Sequence, residues 1–421
     1  MHLNSSDIVI FLLSIGIVLF FARGLGELFK RFKQPIIIGE IIAGIVLGPT
    51  ILGALFPEYY NYLFTDSEVA STAFDGITVL GLSMLLLVLG LEIDLRLALS
   101  QGKAASLVSL FGILFPFTIG FLFAYLFPDY FGIADEKMRF IFALFIGVAL
   151  SITALPVVAK TLMDLNLFKT EIGLLIITSA MFNDLIGWLI FSIILGTIGQ
   201  QSHDLGMGFI ISMLFLFIFF TLFIGRKIIN YFIPYLEKFT TYPGGILNFI
   251  FILGFLCAAF TEYIGVHAIF GAFIIGIAIG DSAHLKEQTR EIIHQFVTNI
   301  FAPIFFVSIG LKVNFITNFD FLLVIIFVSL AFIGKVIGCG LGAHWGGKST
   351  DDSLIIAFGM NSHGAIEIIL GTIALQAGLI HERVFVGLVL MALVTTISSA
   401  PLMSIFVKRK EMSLLKKVPN V

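Results

Sequence analysis

Residues 177–191 read ITSAMFNDLIGWLIF, an apolar run that carries one carboxylate, Asp184, near its middle, with Asn183 beside it. The run is one of many. Of the 421 residues, 59% are hydrophobic and 12% charged, and mean hydropathy is +1.08. A membrane-crossing helix needs about 20 mostly apolar residues, so most of the chain belongs inside a bilayer and no sizeable soluble catalytic or regulatory domain fits. The apolar runs are too continuous for the alternation of a membrane β-barrel. Helices are the backbone that remains, because each amide must be satisfied within its own segment. The expected fold is an all-α polytopic membrane protein.

Thirteen apolar segments can be traced, at 7–22, 35–55, 74–92, 104–127, 138–159, 170–196, 206–225, 244–263, 266–280, 296–311, 320–343, 353–377 and 384–407. An odd number places the termini on opposite sides, and basic residues concentrate on the cytoplasmic side. With the N-terminus outside, the inner loops and tail hold 19 of the 24 Lys and Arg residues. The outer side holds Lys137, Arg139, Lys312 and Arg383, and Lys335 lies within segment 11. That partition predicts a multi-pass cell-membrane protein with a cytoplasmic C-terminus. The longest polar stretches, 56–73, 226–243 and 281–295, read as connectors. The last can equally place Leu285, Ile292 and Ile293 on one side of an interfacial helix. A net charge of −3 without a large basic block argues against nucleic acid as a partner. The first 24 residues lack a basic n-region, so they are expected to form the first helix of the mature chain rather than a cleaved signal. Cys257 and Cys339 both fall in apolar runs and read as buried thiols.

Charged groups inside such segments are the informative positions, since each costs roughly 2.5–3.5 kcal/mol at a helix centre unless partnered or hydrated. Asp184 can hold either a proton or an alkali cation, Na+ or K+; the plainer reading is a tether that pins helices together. Lys335, in SLAFIGKVIGCGLG at 329–342, must pair, neutralise or face water, and Asp184 is one of the opposite charges at similar depth. The glycines around it, Gly334, Gly338, Gly340 and Gly342, let helices approach closely. Segment 5 holds Ser151-Ile-Thr153-Ala-Leu-Pro156, where proline interrupts a helix, and segment 12 holds Asn361-Ser362-His363-Gly364. These segments are seven apart, an odd offset that inverts orientation. The pattern predicts two inverted six-helix repeats joined by segment 7, with unwound helices at a midplane ion site.

Glu40, Glu262, His267 and Glu367 lie in or beside apolar segments as accessory groups that can titrate, with structural hydrogen bonding the plainer alternative. His267 and His363 can sense pH near neutrality. No HxxxH or HExxH face suggests zinc. Ser151, Ser179 and Ser362 lack a base at defined spacing, so the chain does not read as an enzyme.

These residues resemble the monovalent cation:proton antiporters, in the branch that holds bacterial sodium/proton antiporters, glutathione-gated potassium efflux systems and plant cation/proton exchangers. The matching stretches are GEIIAGIVLGP at 39–49, LLLVLGLEIDL at 85–95, SITALPVVAKTL at 151–162, the Asn183-Asp184 pair, HAIFGAFIIGIAIG at 267–280, PIFFVSIGLKVN at 303–314, Lys335 and MNSHGAIEI at 360–368. The resemblance implies a homodimer with a dimerisation panel at 1–103 and 244–319, an ion-binding core at 104–196 and 320–407, a linker helix at 197–243 and a cytoplasmic basic tail at 408–421. It implies that the breaks of segments 5 and 12 cross and frame the ion site, while the core slides against the panel.

Carried over by position, Asp184 is the cation- and proton-binding carboxylate, with Asn183, Thr153 and Ser151 as nearby oxygen donors. Lys335 matches a core lysine that in some relatives pairs with an aspartate standing where this chain has Asn183. Relatives with Asn-Asp tend to be electroneutral, which implies one cation per proton, although the retained Lys335 leaves stoichiometry open. No cofactor is implied beyond the transported ions. The potassium efflux relatives carry a cytosolic nucleotide-binding domain, and here such regulation is expected from a separate subunit. Two readings of other classes stand beside this one. An organic-anion or bile-acid type symporter of related fold needs a basic pocket, and only Lys335 is available. A non-transporting membrane sensor would tolerate changes at Asp184.

Overall fold

The structure, a computed structural model, describes residues 4–32, 34–93, 102–133, 136–165, 167–198 and 207–415. Within them the chain is helical, with no strand among the described residues. In order the helices are α1 (Ser5–Arg31), α2 (Ile36–Leu47), α3 (Leu52–Leu55), α4 (Pro57–Phe64), α5 (Glu68–Leu91), α6 (Lys103–Leu126), α7 (Glu136–Ala149), α8 (Leu155–Asp164) and α9 (Glu171–Ile198). They continue as α10 (Met207–Phe219), α11 (Arg226–Phe239), α12 (Gly244–Tyr263), α13 (Ala268–Gly280), α14 (Glu287–Phe296), α15 (Ala302–Lys312), α16 (Phe321–Trp345), α17 (Thr350–Met360), α18 (Ala365–Gln376) and α19 (Glu382–Leu415). Residues 199–206 of the expected linker and 416–421 of the expected tail lie outside the described residues, as do 94–101 of the expected panel.

Among the described residues, 11 helical spans are long and apolar enough to cross a membrane. Two further apolar helices, 138–149 and 268–280, are shorter. Length alone therefore gives eleven of the thirteen expected crossings. Segment 5 falls short because the chain unwinds between α7 and α8, and segment 9 is the 13-residue α13. The three polar stretches are less loop-like than expected. Most of 226–243 is α11, continuous with α10 through a π-helical turn at Phe220–Gly225. It buries Ile229 and Ile233, four apart on one stripe, and leaves Tyr231 and Tyr235 exposed. In the same way α14 fills 287–296, burying Thr289 and Ile293. Leu285 is buried just ahead of it. The helical alternative for that stretch is the one the chain adopts.

The chain divides into two compact units, Met1–Leu95 with Gly199–Asn318, and Arg96–Ile198 with Phe319–Val421. Each takes one stretch from each half of the sequence. In the first unit α5 packs on α13, α1 on α2, and α2 on α15. Glycine permits these approaches: a Cβ on Gly90 would lie 2.3 Å from Phe273 O, and one on Gly44 2.3 Å from Val307 O.

In the second unit α16 packs along α6. A Cβ on Gly338 would meet Phe111 O at 2.4 Å, one on Gly342 Leu107 O at 2.6 Å, and one on Gly334 Pro116 Cα at 2.6 Å. Gly340 looks instead toward Ala357, at an ordinary 3.7 Å. Three of the four glycines around Lys335 thus form the seam that holds α16 against α6. Cys339 lies in the same core, and both cysteines are free thiols.

At one end of this unit Asp320 caps α16, accepting from Leu323 N–H at 3.0 Å, and also accepts from Arg383 Nε of α19 at 2.9 Å. The Leu323 amide, and then Arg383, hold the Asp320 carboxyl below its usual range. A depressed carboxyl contributes stability above its unfolded value and loses it as pH falls through the folded one. Asp320→Asn keeps an oxygen that can cap α16 but removes the charge facing the helix start and Arg383, so it should lower stability at neutral pH by about 0.3–1 kcal/mol. The gap from the native chain should close below about pH 3.9. Thermal scans of both proteins across that range measure it, and a gap independent of pH would refute it.

Candidate functional site

Two helices of the second unit are interrupted. Between α7 and α8 the chain leaves the helix over 150–154, and between α17 and α18 over 361–364. The second break lies where Asn361, Ser362, His363 and Gly364 were expected to unwind the chain. The first lies just ahead of its expected proline, since Pro156 is the second residue of α8. A first-turn N–H has no intrahelical acceptor, so proline starts this helix instead of breaking one.

The two breaks satisfy each other. Ala154 N–H donates to Ser362 O at 2.8 Å, Thr153 Oγ1 donates to Met360 O at 2.9 Å, and His363 Nε2 lies 3.3 Å from Leu150 O. Thr396 of α19 donates through its hydroxyl to His363 O. Backbone groups released by unwinding thus find partners on the opposite break, as a buried backbone requires.

Lys335 projects into this crossing from α16 and is fully buried. Its ammonium donates to Ser151 O and, at 2.7 Å, to Thr153 Oγ1. Its hydrogen-bond partners are neutral oxygens past the C-terminal end of α7, and not Asp184, the counter-charge nominated from sequence. Thr153 Oγ1 is consequently used twice, accepting from Lys335 and donating to Met360.

Asp184, on α9, is buried, and the Thr153 backbone amide faces its carboxylate. Its Oδ1 has no hydrogen-bond partner among the described residues. The same holds for both amide atoms of Asn361, Ser362 Oγ, His363 Nδ1 and Glu367 Oε1. A buried polar atom left unsatisfied costs about 1–3 kcal/mol, and folded proteins contain few. Here they collect around two breaks and one carboxylate, an arrangement suited to a small ion and its hydration.

The family model described as sodium/hydrogen exchanger, transmembrane, matches residues 16–408. The chain belongs to the sodium/hydrogen exchanger family. It is 34% identical over 406 residues to cation/H(+) antiporter 17 of Arabidopsis thaliana, covering 93% of this chain and 47% of that protein. With the Na(+)/H(+) antiporter NhaS4 of Synechocystis it shares 32% identity over 95% of this chain and 98% of the relative. With K(+)/H(+) antiporter 1 of Saccharomyces cerevisiae the figures are 29%, 95% and 47%. The chain spans about half the length of its plant and yeast relatives. Its fold matches the sodium proton antiporter MjNhaP1 of Methanocaldococcus jannaschii with a TM-score of 0.61 over 94% of this chain and 96% of that one. At 15% identity that likeness speaks to fold alone.

Within this exchanger-family fold the four expected oxygen donors are used differently. Asp184 and Thr153 meet. Ser151 turns its hydroxyl away, donating to Gly147 O at 2.6 Å, and offers its carbonyl. Asn183, oriented to donate, reaches Ser109 O and Ser179 O at 3.1 Å each, and so pins α9 to α6. Glu367, on α18, accepts from Gly364 N–H at 2.6 Å. Glu40, Glu262 and His267 belong to the first unit. Glu40 is buried on α2, whereas Glu262 accepts from Ala268 N–H at 2.7 Å and His267 caps α13, so both anchor that helix start. Sequence reasoning passed over Thr396. The signal available was a polar cluster, Thr395, Thr396, Ser398 and Ser399, inside the apolar run of segment 13.

Proposed function

We propose that this chain exchanges a monovalent cation, Na+ or K+, for protons across a membrane by alternating access, with Asp184 as the shared binding carboxylate. The observation that carries the reading is a buried carboxylate with one unpartnered oxygen where two unwound helices cross. A proton neutralises the same group. An empty carboxylate is left as an uncompensated charge in a low-dielectric interior, so the loaded forms cross and the empty one does not. One carboxylate exchanging one cation for one proton makes the reaction electroneutral.

Two further elements belong to this reading. The second unit serves as a mobile core and the first as the panel of a homodimer, supported by the way each unit combines stretches from both halves of the chain. The N-terminus is outside and the C-terminus cytoplasmic in the cell membrane, supported by the Lys and Arg partition. The commitment of Lys335 to Ser151 and Thr153 leaves it no free charge for an organic anion.

Competition has a kinetic signature. Each unit of pH below the titration of the site should raise the apparent KM for the cation about tenfold, because one bound proton must leave. The maximal rate should stay unchanged at saturating cation. Initial exchange rates in proteoliposomes, measured over cation concentration at several pH values, test this. A fall in maximal rate at constant KM would mean that proton and cation occupy different sites.

A further inference from the structure

The neutral side chains expected to hold a cation beside Asp184 are committed elsewhere. Ser151 Oγ donates to Gly147 O at 2.6 Å, and Thr153 Oγ1 donates to Met360 O at 2.9 Å while accepting from Lys335 at 2.7 Å. The Asn183 amide turns to α6, donating to Ser109 O, with its other atom 3.3 Å from where a Cβ on Gly112 would lie. The second break holds oxygens that are not committed. Asn361 and Ser362 are fully buried, and Asn361 Oδ1, Asn361 Nδ2 and Ser362 Oγ have no hydrogen-bond partner among the described residues. The crossing fixes where they stand. Met360 O, one residue before Asn361, meets Thr153 Oγ1, and Ser362 O, one residue after it, accepts from Ala154 N–H at 2.8 Å. Consecutive Cα atoms are about 3.8 Å apart, so Asn361 and Ser362 lie against the Thr153-Ala154 pair, whose first amide faces the Asp184 carboxylate.

Backbone geometry does not account for the asparagine. Asn is favoured just past a helix end where φ is positive, whereas Asn361 has φ −82° and its side chain caps nothing. The other unpartnered atoms near this break suit a cation less. His363 Nδ1 is a nitrogen, and hard cations take oxygen ligands. The Glu367 carboxyl belongs to the first turn of α18, where it accepts from Gly364 N–H at 2.6 Å. A cation stripped of its water needs several oxygens, whereas a proton needs one. We propose that Asn361 Oδ1 and Ser362 Oγ are the neutral ligands that hold the transported alkali cation against Asp184, so that the second break recognises the cation and takes no part in binding the proton. The inference rests on exchange at Asp184 and names the side chains that complete that site.

The test uses the full chain, first by heat stability of the purified protein with Na+ or K+ replacing choline at constant ionic strength, then by exchange rates in proteoliposomes. A cation that binds the folded chain raises its melting temperature, and the native chain should show that rise where Asp184→Asn does not. Asn361→Leu is close to isosteric and removes two unpartnered polar atoms, so in choline it should be at least as heat-stable as the native chain. It should need about tenfold or more cation for the same rise, and its apparent KM for the cation should increase by the same factor at every pH, with the maximal rate at saturating cation retained. Ser362→Ala should shift both quantities in the same direction. Variants whose thermal rise and KM match those of the native chain would overturn the proposal, as would a loss of maximal rate at unchanged KM, the mark of a structural role. Should Asn361→Leu fail to fold, Ser362→Ala decides alone, and a native KM in that protein overturns the proposal. A native chain that moves no protons with either cation sinks the exchange reading as well, whereas Asp184-dependent exchange with a native KM in both variants sinks this inference alone.

Discussion

Asp184→Asn should abolish cation-driven proton movement, by at least about a hundredfold, while leaving the protein as heat-stable as the native chain or more so. The hundredfold follows from the roughly 2.5–3.5 kcal/mol attached to a charge in a bilayer interior, which the bound ion must neutralise before the carrier crosses. An amide cannot exchange a proton for a cation, so the neutral variant has nothing to couple. Stability should move the other way. The carboxylate has an unpartnered oxygen and is buried, so replacing it with a neutral isostere removes a desolvated charge without removing a tether. Exchange rate and melting temperature measured on one preparation decide between a binding role and a structural one. Loss of both together would favour the tether.

Lys335→Met should do the opposite to stability. The ammonium is the donor that satisfies Ser151 O and Thr153 Oγ1. Truncating a buried charge whose partners remain typically costs about 3–5 kcal/mol. A marked fall in melting temperature is therefore expected, with exchange reduced about tenfold or more because the crossing at Ser151 and Thr153 loses the donor that fixes it. Lys335→Arg, which keeps the charge and donates to the same oxygens, should recover most of the stability. An unchanged melting temperature in Lys335→Met would show that the crossing of the two breaks does not depend on this lysine.

Much of this architecture is readable from composition and spacing, because lipid leaves the backbone few options. The all-helical fold follows from continuous apolar runs, and the second break from four polar or flexible residues in a row at Asn361–Gly364. The first break was harder to place, since proline is compatible with both a kink and a helix start, and only the surrounding hydrogen bonds show that Pro156 opens α8. The polar stretch over 226–243 reads as a connector when charge is counted without phase, and 281–295 leaves connector and helix equally open. Their buried stripes, Ile229 with Ile233 and Thr289 with Ile293, make helices of them. Side-chain direction lies beyond a one-dimensional reading. Nothing in the Asn183-Asp184 pair indicates that the amide turns to Ser109 and Ser179, or that Ser151 contributes its carbonyl in place of its hydroxyl. Glu367 reads as one of several weak candidates, because its bond to Gly364 depends on the tertiary crossing.

The most direct measurement is proton movement in proteoliposomes holding a trapped pH dye, started by adding Na+ or K+ with the membrane potential clamped, for the native chain and Asp184→Asn side by side. Proton efflux that requires an added cation, persists under the clamp and disappears in Asp184→Asn is the expected result. Proton movement indifferent to either cation, or full exchange by a correctly folded Asp184→Asn protein, would contradict exchange at Asp184.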